Sequence, residues 1–155
     1  LGNYGIANRS GEVVIGGGGF NGTGKGYAQS SVITLTGTTT DESTTSLFVN
    51  GNPSVTTIER SSGTVYTSFE AKVIGVRTGG TAAGSEGDRI FLTTSGIIYE
   101  TTANESTPVI ISTGTVTGWT ANAAFSGSNM LFQVTGAADM DISWSCTLHL
   151  YEMKV

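Results

Sequence analysis

The chain has 155 residues, 37% of them hydrophobic and only 12% charged, with a net charge of −5 at neutral pH. That length holds one domain with a core of its own, and so much apolar content with so little net charge excludes a disordered tail. The seven basic residues stand singly along the chain; this excludes a duplex- or phosphate-binding surface, which needs clustered Lys and Arg, and argues against an anionic membrane surface.

Gly, Ser and Thr dominate, while the helix builders Ala, Leu, Glu and Lys are scarce. Thr favours strands and Gly favours turns, so the composition predicts an all-β chain. No apolar run approaches the ~18 residues of a membrane span, so no membrane insertion is expected. Leu1 is not a natural start, so the chain is expected to be a fragment or a processed piece, whereas "LHLYEMKV" holds its strand pattern to the last residue.

Residues 1–29 form a first zone, in which glycines recur and only "EVVI" (12–15) is apolar. Such a segment buries little alone and reads as either a loop or one rung of a repetitive β structure that leans on neighbours. Residues 30–155 form a second zone of short strands separated by turn signals. "SSVITLTG" alternates, and "TTTDESTTSLF" holds a loop or a single turn. "TSLFVNGNP" is a strand ending at Asn50-Gly51, a favoured hairpin dipeptide. "SVTTIER" is a further strand leading to a Ser-Ser-Gly turn. In "TVYTSFEAKVIGVRT", Val65, Thr67, Phe69, Ala71, Val73 and Gly75 share the core parity, and Tyr66, Ser68, Glu70, Lys72 and Ile74 share the solvent parity. "GGTAAGSEGD" is a polar loop. "RIFLTTSGIIYETT" follows, broken at Gly96, and then "TPVIIST", "VTGWTANAAF" and "NMLFQVTG". In the last strand Ile142, Trp144, Cys146, Leu148 and Leu150 alternate with Ser143, Ser145, Thr147, His149 and Tyr151. Eight or nine strands without crossover helices predict an antiparallel β-sandwich of jelly-roll type, with a closed barrel as the alternative.

"GFNGTGKG" (19–26) nearly matches a phosphate-binding loop, but Gly26 stands where a hydroxyl is required and a strand pattern follows where a helix is required. Lys25 then reads as a solvated charge. His149 is the only histidine and faces outward, and no G-x-S-x-G elbow accompanies it. One Cys and one His cannot supply a zinc site, and the lone Cys146, on the core parity, reads as a small buried hydrophobe. Asp139 with Asp141, and Glu86 with Asp88, are the acid pairs closest to a calcium loop, but both sit at turn signals that Asp serves by itself. Paired carboxylates for glycoside hydrolysis find few acids inside strands. The chain is therefore expected to be no enzyme, with no cofactor and no metal. Trp119 and Trp144 fall on core parities, which leaves Tyr66, Tyr99 and Tyr151 as the exposed rings that could touch a ligand.

The stretches "GYAQ" (26–29), "GTTTDESTTSLFVNG" (37–51), "VIGVRTGG" (73–80), "LFQVTG" (131–136) and the final strand bearing Trp144 together resemble the C-terminal modules of phage and prophage tail fibres and related virion fibres. The resemblance runs from about residue 25 to the C-terminus and brings no catalytic residues. It departs at Tyr27, where the family carries an acid, and in the glycine-rich loop at 79–88. It implies a homotrimeric, virion-borne and extracellular tip domain over 30–155, preceded by a glycine-rich stalk-like segment over 1–29. Its role would be recognition of a host cell-surface glycan or receptor. A trimerisation cap, a capsid decoration module and a carbohydrate-binding module attached to a depolymerase are the alternatives.

Overall fold

In a computed structural model of the protein, residues 5–18, 28–60, 65–99 and 102–154 are described. Every regular element among them is a strand: β1 (Val13–Gly18), β2 (Ala28–Thr39), β3 (Thr44–Ser46), β4 (Phe48–Val49), β5 (Val65–Gly80), β6 (Arg89–Tyr99), β7 (Thr102–Glu105), β8 (Val109–Thr113), β9 (Thr120–Ser126), β10 (Asn129–Thr135) and β11 (Met140–Lys154). No helix among these residues is long and apolar enough to cross a membrane. The near P-loop with Lys25 and the Ser-Ser-Gly turn at 61–63 lie outside the described residues.

All pairings are antiparallel. The large sheet runs β1-β2-β11-β5-β6-β7, with β4 also on β2 and β8 also on β6. The small sheet is β3-β10-β9. One apolar cluster joins them: Phe132 and Val134 of β10 share it with Leu35, Val73, Cys146 and Leu148 of the large sheet. This is the sandwich expected from the alternation.

The period-two parities of β5 and β11 hold residue by residue: the first-named set of each is buried and the second faces outward. Three expectations change. "TSLFV" is not one strand. β3 joins the small sheet and β4 the large one, and the Leu47 N–H donates to Phe132 O at 2.9 Å where the chain crosses. "SVTTIER" makes only an isolated bridge, Ile58 opposite Met130. The turn before it draws Val55 back onto Val49, so the segment meets the end of β10 at one residue. β6 is unbroken at Gly96, because that glycine lies opposite Phe69, and the ring fills the space a side chain would take. Among the described residues eleven strands stand where eight or nine were expected.

The same device operates at the centre. Trp144 on β11 is flanked in register by Gly37 on β2 and Gly75 on β5. Its ring lies over Gly75, where an added Cβ would sit 2.5 Å from the indole. Its Nε1–H donates to Thr39 Oγ1 at 2.9 Å. Trp119, just before β9, meets it edge-on, with centroids 5.6 Å apart and planes at 61°. Such a pair contributes about 0.5–1.5 kcal/mol beyond its burial, and it ties one sheet to the other.

Residues 6–12 are held by a buried polar cluster. Arg9 donates to Glu152 at 2.7 Å and to Glu12 at 2.5 Å, with all three side chains at most 3% exposed. Gln29 donates to Glu152 and accepts from the Ile6 N–H. Glu12 also accepts from the Asn8 and Arg9 N–H groups. Burial works against the guanidinium charge, but the hydrogen bond and charge of Glu152, with those of Glu12, outweigh it and hold Arg9 above its ordinary value. In the large sheet, β1 pairs with the start of β2, so the glycine-rich zone contributes an edge strand.

Two substitutions test these supports. Gly75→Ala should overpack Trp144 and lower stability by about 1–3 kcal/mol in urea unfolding. Arg9→Met strands two buried carboxylates and should cost about 3–5 kcal/mol.

Candidate functional site

The outward face of the large sheet is unusual for a sheet with one side in water, because many outward positions are large and apolar. One cross-strand row sets its geometry. Reading across β1, β2, β11, β5 and β6, the partners are Ile15, Ser30, Tyr151, Ser68 and Ile97. Large and small side chains alternate, so the Tyr151 ring stands up between two serines. Tyr66 lies one step along β5, opposite Met153, and is thus a diagonal neighbour of Tyr151. These residues line a groove of about 540 Å³.

Of the three tyrosines expected to be exposed, all are: Tyr66 at 53%, Tyr99 at 67% and Tyr151 at 45%. The fold brings Tyr66 and Tyr151 together on the groove. Tyr99 is at the end of β6, outside the groove wall. The sequence reading missed Ser30, Ser68, Ile15 and Ile97. Their signal is outward parity, but their meaning depends on register, which brings residues more than a hundred positions apart side by side.

Beyond the groove lies a polar band. His149 is half-buried opposite Glu70, and Glu70 pairs with Lys72 at 3.2 Å. Glu70 and Lys72 are exposed enough that the pair contributes little. Past the band is a second apolar zone, where Ile74, Phe91 and Ile111 follow one another across β5, β6 and β8.

The other candidates have structural partners. Cys146 is fully buried, and burial pushes its thiol above the ordinary value. Of the acid pairs, Asp139 adopts a positive φ of 55° in the turn before β11, and its carbonyl accepts from the Ala82 N–H. Asp88 accepts from the Ser85 N–H at 2.9 Å and from the Thr115 backbone. Among the described residues no three metal-ligating side chains converge.

The loop after β5 is organised from inside by Arg77, which is 4% exposed. Its guanidinium donates to the carbonyls of Gly79, Gly80, Ala82 and Ala83. One planar fork thus satisfies four backbone acceptors. Asp88 closes the loop from outside, and by reaching Thr115 it also fastens the segment that follows β8.

No family model matches the chain, and no curated protein or solved structure matches it significantly.

Backbone hydrogen bonds from Ser85 and Thr115, with the Arg77 charge, hold the Asp88 carboxyl below the usual carboxylate range. A depressed carboxyl stabilises the fold fully above the unfolded-state value near 4, and that contribution is lost as the pH falls through the folded-state value. Amide exchange at residues 81–88 and 114–115 should therefore accelerate as the pH drops below about 4, after correction for intrinsic exchange. Asp88→Asn should show the faster exchange already at neutral pH.

Proposed function

We propose that this domain is a non-enzymatic attachment module of a virion fibre, which holds a cell-surface saccharide in the groove at Tyr66 and Tyr151. The observation that carries the reading is the placement of two exposed rings from different strands on one groove, with serines beside Tyr151. Flat rings stack on the apolar face of a sugar, and serine hydroxyls can orient its polar edge. The acid closest to the groove, Glu152, has its carboxylate turned to Arg9 and Gln29, which favours binding over acid-base chemistry. The resemblance to fibre tips supports the extracellular, virion-borne setting and the homotrimer. Three shallow grooves on one fibre would gain strength from copy number rather than depth.

The test is binding of the 155-residue chain to a saccharide array and to whole host-type cells. Tyr66→Ala and Tyr151→Ala should each weaken binding roughly three- to tenfold, and Phe at either position should retain most of it. Tyr99→Ala should bind as the parent does. Absence of any saccharide binding, or equal binding by the Tyr66 and Tyr151 variants, would overturn the reading.

A further inference from the structure

We propose that copies of this chain associate through strand β8, together with the outward side chains of Ile74 and Phe91 beside it. Among the described residues β8 hydrogen-bonds to β6 alone, so one of its edges offers backbone N–H and C=O groups to another strand. Its apolar residues are exposed on both faces: Val109 at 66%, Ile110 at 55% and Ile111 at 67%. Proteins blunt such edges with charges, bulges or prolines. The run Val109–Thr113 has no charge and no proline, and its register to β6 is regular.

Two observations select a second copy as the occupant. The first is charge. The chain carries −5 overall, so copies repel one another across most surfaces. No charged residue occurs between Glu105 and Asp139, and the charges around this zone, Arg89, Lys72 and Asp88, lie at its rim. Copies can therefore meet here with no charge inside the apolar contact. The second is area. From their fractional exposures, Ile74, Phe91, Val109, Ile110 and Ile111 present on the order of 500 Å² per copy, so a contact covering all of them on two copies approaches the ~1,000 Å² of a specific interface. A recess of about 340 Å³ lined by Ile74, Phe91 and Ile111 provides a socket beside the edge. The surface is also held in place, because Asp88 and Arg77 anchor the end of β8 through the loop at 81–88. A strand added to such an edge draws affinity from main-chain hydrogen bonds and specificity from the adjoining recess.

Sedimentation of the 155-residue chain at tens of micromolar tests this. The parent should sediment as an oligomer. Ile111→Lys and Val109→Lys, at positions already in water, should shift it to monomer while the far-ultraviolet spectrum stays unchanged. Ile97→Lys, on the groove side of the polar band, should leave the oligomer intact. A parent chain that sediments as a monomer, or an oligomer that survives both β8 substitutions, overturns the proposal. Single-site saccharide affinity should be unaltered in Ile111→Lys, so failure of the saccharide reading would appear separately, as a parent oligomer that binds no sugar.

Discussion

The fold depends on the seating of Trp144 against Gly75. β11 is the central strand of the large sheet, hydrogen-bonded to β2 on one side and β5 on the other. An indole in that position needs room, and Gly75 provides it without breaking the β5 ladder, while Gly37 on the other side makes room for Leu47. Glycine in a strand interior normally weakens it. Here the neighbouring ring covers the exposed backbone, and Phe69 does the same over Gly96. Trp119 then docks on Trp144 from the small sheet, so the packing of the two layers is referred to one side chain.

With the inner face settled by this packing, the outer face is released from core duties, and its composition needs another explanation. On β11 and β5 the polar side chains His149, Glu70 and Lys72 stand between two apolar zones, while Val13 and Val32 continue the same row across β1 and β2. The two proposals draw on different parts of this face: the saccharide reading on the groove at Tyr66 and Tyr151, and the association of copies on the uncharged edge at β8. Low charge density makes both compatible with a −5 chain, since neither zone requires a charge to be desolvated.

The polar groups that are buried serve as anchors for segments with weak strand character of their own. Arg77 gathers the carbonyls of a loop rich in glycine and alanine, which has almost no side chains with which to pack. Arg9 does the corresponding work for residues 6–12, by meeting Glu12 and Glu152 out of water. In both cases one guanidinium replaces a hydrophobic contact that the local sequence cannot supply. Its planar, forked donors make this feasible where an ammonium would leave acceptors unsatisfied.

The sequence by itself determined the class of the fold, the inward and outward sets on β5 and β11, the buried state of Trp119, Trp144 and Cys146, and the exposure of Tyr66, Tyr99 and Tyr151. These follow from a period of two and from side-chain polarity, which are local properties of the chain. Tertiary structure alone decided that "TSLFV" divides between two sheets, that Gly96 does not interrupt β6, and that "SVTTIER" touches β10 at a single bridge. It also decided that Tyr66 and Tyr151 share a groove while Tyr99 does not. Each of these depends on which strands become neighbours and in what register. Register is set by the packing of residues far apart in the chain, such as Trp144 against Gly75 and Phe69 against Gly96, and no local pattern records it.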